Sequence, residues 1–503
     1  MIKYSLSGLA LMGATMLPMA SAWAQAPRFA SYAQFNDTLV AQFNRGDFKA
    51  IEAYGSPALR KVEAAGSMAA FLARQQAKTG RIVSSSALPA RKTRKEYAWR
   101  GERQNLRVSL VSSAPGVIDD YFISDFIAQP NARATPLPTD NRRQTALDRA
   151  VDRAATLYLQ HPEAAGLSIG VYWQGKQYFY NYGEVEKGTG RLPTARTFYD
   201  IGSVAKTFVT TLLAQAVLDK KVQLNDDIRK YLPGEYPNLA YEGRPVRLVD
   251  LATHTSGLPG RAYNPPKETQ AKLDALSLPE RIAHYNQFTA DSLLHHLHTF
   301  KLASEPGKTY RYNNQGILLL QLLLERAYQQ PYEQLVTRYV QTRFGLKDTK
   351  RVLTAAEQQR YAIGYENGKP EHHANYTGYW GGSNLTSTPA DLLTYAQANL
   401  AEKEPAVRLA HQPAFENRIG LGWMLDTDPE GQRRIFHNGH STGFNARCAL
   451  YPAEQVGIVL MVNETISQDR VTDLEQLLKQ ELAAVVAPAV APKTKASKAV
   501  GRR

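Results

Sequence analysis

The sequence predicts an α/β protein: an antiparallel sheet flanked by helices with a helical subdomain, preceded by a small α+β domain. Three observations carry this reading. Strand-like runs stand at both ends of a long segment whose middle has helical periodicity, so one sheet must be assembled from distant parts of the chain. Ahead of that segment, helix-like spacing gives way to alternation. A proline-rich polar stretch separates the two patterns.

Taken in chain order, residues 1–24 have the three parts of a secretory signal: Lys3, an apolar run from Leu9 to Met19, and the small-residue pattern Ala22-Trp23-Ala24. Cleavage is expected after Ala24, giving a periplasmic or secreted protein. The apolar run falls short of the ~20 residues that span a bilayer. No later segment is apolar for long enough, so no stable membrane span is expected after cleavage. Residues 27–128 form the small domain. Tyr32, Phe35, Leu39 and Phe43, then Met68, Phe71 and Leu72, recur at spacings of three and four, whereas Leu106, Val108 and Leu110 alternate. Residues 129–141, with Pro130, Pro136 and Pro138, read as a linker.

The large domain is expected over 142–485. Leu167–Tyr172 and Tyr178–Tyr182 flank the turn Gln174-Gly175-Lys176 as two strands. Helical periodicity dominates from about Val204 to Leu400. Strands return at Gly420–Trp423, Arg434–His437, Phe444–Tyr451 and Val456–Val462, before a last helix near Val471–Leu482. Residues 486–503 form an Ala/Pro/Lys-rich basic tail expected to be disordered.

A chain of 503 residues with 43% apolar and 21% charged side chains is long enough for at least two cores. Its net charge of +14 raises the question of nucleic acid. Five of the basic residues, Lys493, Lys495, Lys498, Arg502 and Arg503, lie in the tail; without them and Lys3 about +8 remains. No helix-turn-helix, zinc or RNA-recognition pattern accompanies the charge, which is read as solubility and attraction to anionic envelope polymers; no nucleic-acid partner is expected. Cys448 is the only cysteine, so no internal disulfide can form, and its place in the apolar run Asn445–Tyr451 reads as a buried strand position.

Three constellations can carry chemistry. In Tyr199–Phe208, Ser203 and Lys206 stand three apart at the start of a helix, on one face, and the flanking apolar residues should bury the lysine. A serine hydroxyl needs a base, and a lysine whose pKa is lowered by burial can serve. The second is Glu305–Gly316, a turn leading into the apolar helix Ile317–Leu324. It can project Tyr312 and Asn314 to one side, a phenol for proton transfer and an amide for substrate. The third is Phe436–Phe444, where Gly439 lets a substrate backbone approach and a main-chain amide could complete an oxyanion hole.

In order and spacing these motifs resemble, over roughly residues 145–485, the serine β-lactamase and penicillin-binding-protein superfamily, in its branch of class C β-lactamases, D-alanyl-D-alanine carboxypeptidases and esterases. Ser203-Val204-Ala205-Lys206 is similar to its Ser-x-x-Lys motif, Tyr312-Asn313-Asn314 to Tyr-x-Asn, and His437-Asn438-Gly439 to Lys/His-x-Gly. Asp250–Pro259, Gly381–Leu385 and Gly420–Trp423 match too. The resemblance implies acylation of Ser203, with Lys206 and Tyr312 sharing base and acid duties. It also implies that Asn314 holds the substrate amide, that the backbone amides of Ser203 and His440 form the oxyanion hole, and that His437, with Asn438 and Gly439, seats the leaving group or carboxylate. No metal or cofactor is required. The substrate would be a small molecule or peptide, with peptidoglycan a candidate source. Histidine at 437, where class C enzymes carry lysine, and asparagine at 438, where they carry threonine or serine, tilt the reading from a dedicated β-lactamase towards a D-alanyl peptidase or an esterase. Residues 27–128 look like the cone-shaped nuclear-transport-factor-like domains found fused to secreted hydrolases.

Other readings are open. Gly439-His440-Ser441-Thr442-Gly443 is a literal Gly-x-Ser-x-Gly, but all eleven histidines precede Ser441 and the following residues read as strand rather than helix. His295-His296-x-His298 and His372-His373 lack the companions of a zinc site. His254 reads as a turn residue. A non-turnover penicillin-binding or envelope-polymer-binding module with the same fold is the alternative to an enzyme.

Overall fold

The computed structural model describes residues 29–62, 67–88, 94–103, 105–125, 137–161, 163–259, 267–366, 368–371, 385–428, 431–465 and 468–486. The expected signal segment, residues 129–136 of the expected linker, His372-His373, Gly381–Asn384 and the tail beyond 486 lie outside them. The chain divides into two compact units, residues 1–128 and 129–503.

The first unit sets helices α1 (Tyr32–Arg45) and α2 (Ser67–Thr79) against an antiparallel meander of β1 (Ile82–Ala87), β2 (Arg94–Gly101), β3 (Leu106–Val111) and β4 (Asp120–Asp125). Ser31 caps α1 by accepting the Gln34 N–H, and Gly46 ends it in the left-handed conformation. The helical spacing buries Phe35, Leu39 and Phe43 against Trp99, Leu106 and Val108. Asn36 is buried with them and accepts the Trp99 indole N–H at 2.8 Å.

In the second unit, α3 (Ala146–Leu159) precedes the hairpin β5 (Gly166–Trp173) and β6 (Lys176–Gly183). The helical middle contains α4 (Ala205–Leu218), α5 (Asn314–Tyr328) and α6 (Pro389–Ala401). The chain then returns through β7 (Met424–Thr427), β8 (Arg433–Ser441), β9 (Phe444–Tyr451), β10 (Val456–Val462) and α7 (Gln468–Val486). All six strands form one antiparallel sheet in the order β7-β8-β9-β10-β5-β6, so the first and last parts of the unit meet at the β10–β5 pairing. One face is covered by α3 and α7 through Val151, Leu474 and Leu478; the other packs against the helical middle through Leu392, Leu393 and Phe208. This is the antiparallel sheet flanked by helices that the sequence predicts.

β9 and β10 are buried along their whole length, covered on both faces, which is why β10 is apolar throughout, whereas β9 carries Asn445 and Arg447 among its apolar residues. Gly420–Trp423, expected as a strand, is irregular: Gly422 has φ 71° and β7 begins only at Met424. A Cβ on Gly422 would lie 2.4 Å from Thr210 Oγ1 of α4, so the alternation there serves a close crossing over a helix. Cys448 is fully buried in β9, and burial pushes its thiol up to about 12.

Candidate active site

Ser203 lies in a single 3-10 turn, Gly202–Val204, that feeds directly into α4. Eleven of the fourteen residues of α4 are buried, so its first turn is driven into the core rather than displayed at the surface. Two glycines let β8 meet this turn. Gly202 has φ 48°, and a Cβ there would lie 2.5 Å from both His440 N and His440 O; a Cβ on Gly439 would lie 2.0 Å from Ile201 O. Either side chain would force the strand away from Ser203.

Lys206, 3% exposed, donates from Nζ to Ser203 Oγ at 2.8 Å. Burial lowers its pKa to about 7. Among the described residues no carboxylate contributes to that shift or holds the amine in its ammonium form. Tyr312 is half-exposed in the loop before α5, with Lys206 Nζ 5.2 Å from its ring centre. Desolvation pushes the phenol up to about 12, against a hydrogen bond from the Ser203 side chain. The amine is therefore fitted to take a proton near neutrality and the phenol to carry one.

The loop before α5 is held from both sides. Asn313 caps the helix, its Oδ1 accepting the Gly316 N–H, while its Nδ2 donates to Leu258 O and Pro259 O. Asn314 begins the helix, and its Oδ1 is buried with no hydrogen-bond partner among the described residues. His254, read from the sequence as a turn residue, lies against Tyr312 with ring centres 4.4 Å apart.

Strand alternation sorts the Lys/His-x-Gly motif. His437 and Gly439 pair with Cys448 and Ala446 and share their face, towards the helical middle. His437 is buried, and its Nδ1 donates to Asn438 O at 2.7 Å. Desolvation first, then Lys206, lowers its pKa to about 4. It is neutral, with Nε2 a buried lone pair lacking a partner among the described residues, and offers no positive charge to a substrate carboxylate. Asn438, expected beside the substrate, turns to the opposite face, where its Oδ1 accepts from Arg447. The His440 imidazole bonds Asn445 Oδ1 at 3.0 Å, so only its main chain faces the Ser203 turn. Ser441 donates to Asp200 Oδ2 at 3.1 Å and leads through a hairpin into β9, not into a helix. Of the other histidines, His298 stacks on Tyr236 and His296 on Phe288.

Behind β8 lies a network with no counterpart in the sequence reading. Arg447 and Glu475, 1% and 0% exposed, pair at 2.8 Å, joined by Arg434 and by the Tyr451 hydroxyl. An arginine inside the apolar run of β9 was its only sequence signal.

A family model described as Beta-lactamase matches residues 151–482, well over half of the chain. Among relatives, a beta-lactamase of Lysobacter lactamgenus is 26% identical over 366 residues, covering 65% of this chain and 89% of its own. The D-alanyl-D-alanine-carboxypeptidase/endopeptidase AmpH of Escherichia coli is 26% identical over 339 residues, covering 63% and 83%. Among solved structures, the beta-lactamase/D-alanine carboxypeptidase of Yersinia pestis superposes with a TM-score of 0.58 at 23% identity, over 68% of this chain and 99% of that one. The corresponding Pseudomonas syringae protein gives 0.53 at 22%, over 67% and 99%. The structural likeness shows the fold, the matched model shows the family, and the chain belongs to the beta-lactamase family of serine hydrolases.

Proposed function

We propose that the chain is an exported enzyme that acylates Ser203 with a D-alanyl peptide or a small ester. The observation that carries this reading is the 2.8 Å contact between Lys206 Nζ and Ser203 Oγ at a lysine brought to about 7 by burial. Lys206 accepts the Ser203 proton as Oγ bonds to the carbonyl carbon, and the oxyanion is received by the backbone N–H groups of Ser203 and His440. Tyr312 returns a proton to the leaving group as its bond to the carbonyl carbon breaks. Water then attacks the acyl-enzyme, giving up a proton to the same pair, which passes it to Ser203 Oγ as the Oγ–carbonyl bond breaks and the acid product leaves. Asn314 Oδ1 accepts an N–H of the substrate, and Gly439 admits its backbone.

The neutral imidazole of His437 puts no fixed cation at the Lys/His-x-Gly position, which weights the substrate towards a D-alanyl peptide or small ester over a dedicated β-lactam hydrolysis. The relative AmpH, whose name is that of a D-alanyl-D-alanine carboxypeptidase and endopeptidase, supports the same choice, with peptidoglycan as the source. Export rests on the signal pattern of residues 1–24, cleaved after Ala24. Among the described residues no helix is long and apolar enough to cross a membrane.

The test is mass spectrometry of the mature protein and of Ser203→Ala after exposure to a fluorescent penicillin and to a p-nitrophenyl ester. An adduct on Ser203, absent from the variant, is expected, and a long-lived penicilloyl form marks a peptidase. Full labelling or full ester hydrolysis by Ser203→Ala would sink the mechanism.

A further inference from the structure

Two segments far apart in sequence are zipped together beside the nucleophile. Ala303 N–H donates to Gly257 O, Gly307 N–H to Thr255 O and Arg311 N–H to His254 O, each at 2.8 Å. A Cβ on Gly257, which has φ 69°, would lie 2.3 Å from Ser304 O, so only glycine permits the approach. His254 is the last link of this zipper, and its bonds are peculiar to it. Its carbonyl takes the N–H of Arg311, and its Nδ1 takes the N–H of Asn313 at 3.2 Å. These are the N–H groups of the two residues that flank Tyr312 in the chain. Its ring also lies against the Tyr312 ring at 4.4 Å and meets Tyr310 edge-on at 6.0 Å.

We infer that His254 is the positioning residue of Tyr312, holding the main chain on both sides of the tyrosine and the ring itself so that its hydroxyl stays beside Ser203 and Lys206. The inference rests on the proposed role of Tyr312 in proton transfer. The residue type follows from the task. Position 254 has φ 59°, a left-handed conformation that a β-branched side chain resists and that histidine, asparagine and aspartate tolerate best. Accepting the Asn313 N–H at Nδ1 requires the neutral ring with its proton on Nε2; a protonated ring would turn a donor towards a donor. The titratable groups facing it are Lys206, His437, Tyr310 and Tyr312. Burial first, then Lys206 and His437, pushes the imidazole down to about 3, so the acceptor persists across the working range.

The experiment is a kinetic double-mutant cycle read by acylation with a small ethyl ester, whose alkoxide leaving group, unlike p-nitrophenolate, departs only with a proton. Tyr312→Phe should slow acylation by about 10²–10⁴, the range for a lost proton-transfer group. His254→Ala should slow it by more than about tenfold in kcat with little change in KM. In the Tyr312→Phe background it should add less than about twofold, because residues acting as one unit are not additive. A purely structural role would slow both backgrounds equally. His254→Asn places an amide oxygen where Nδ1 stood and tolerates the left-handed backbone, so it should keep most of the rate; His254→Gln, which cannot, should behave like His254→Ala. If His254→Ala is too unstable to assay, the Asn and Gln pair decides. Equal losses in both backgrounds, or an Asn variant as slow as the Gln variant, would overturn the inference. A Tyr312→Phe protein with unchanged rate would instead overturn the proton-transfer reading on which it rests.

Discussion

Burying Lys206 with no carboxylate beside it among the described residues suits it to the base role proposed for it and costs the fold stability at the same time. Its drop from 10.5 to about 7 is worth up to about 5 kcal/mol at 1.36 kcal/mol per pKa unit. Below pH 7 the folded protein carries a desolvated ammonium and bears the whole cost. Between 7 and 10.5 the folded lysine is neutral while the unfolded one still binds its proton, so stability rises with pH across that window. Lys206→Met should therefore abolish acylation and raise the melting temperature at pH 6 by about 5 °C or more. The gain should shrink as pH approaches 10, and a variant less stable than the parent at pH 6 would contradict the burial cost. The same residue sets the rate profile. Acylation by a neutral ester should climb through about pH 7 and then level off, since His437 and His254 are already neutral there, at about 4 and about 3. A rising limb near pH 4 would instead make His437 the titrating group.

At the scale of elements, the site depends on how closely β8 runs beside the Ser203 turn, and that closeness is set from both of its faces. On one face Gly439 leaves room for Ile201 O; Gly439→Ala, with a Cβ 2.0 Å from that oxygen, should displace the strand and slow acylation by about 10², the scale of an ångström-sized misplacement. On the other face β8 and β9 are tied to α7 through Arg434, Arg447 and Glu475. Glu475→Gln leaves the buried Arg447 guanidinium without a carboxylate, while Arg434 keeps Asp426 at 2.6 Å, and should cost about 3–5 kcal/mol in urea unfolding. Arg447→Met should cost less, because Glu475 keeps Arg434 and Tyr451. The sequence made some of this legible and hid the rest for physical reasons. The reach from Ser203 to Lys206 spans a single helical turn, so the spacing together with the apolar residues flanking it made the pair legible. β9 and β10 announced themselves as buried apolar runs. The bond between Arg447 and Glu475 joins a strand to a helix 28 residues later, and the clamp of His254 on Tyr312 joins segments 58 residues apart; no local period encodes either. The alternation at Gly420–Trp423 misled because glycines placed for close approach, Gly422 to Thr210 of α4 and Gly420 to Ala410 O, imitate a strand pattern.

At the scale of the whole chain, the two units have separate cores. The cluster built on Phe35, Phe43 and Trp99 draws every member from the first unit, whereas the sheet and its helices close their own interior. Ser203, Lys206, Tyr312, Asn314, His437 and His440 all belong to the second unit. A core that is complete in itself can fold and melt by itself, so a chain beginning at residue 137 should remain cooperative in calorimetry. For a small p-nitrophenyl ester, whose acyl group needs only the Ser203 turn, β8 and the Tyr312 loop, its acylation rate should match that of the full chain. The comparison gains force with a second substrate, a polymeric peptidoglycan fragment large enough to reach beyond one unit. If the shortened chain processes the ester normally and loses only the polymer, the first unit recruits substrate. If both rates are unchanged, its role lies elsewhere than in substrate capture. Loss of the ester reaction in a chain that still melts cooperatively would contradict the independence of the catalytic unit argued from these cores.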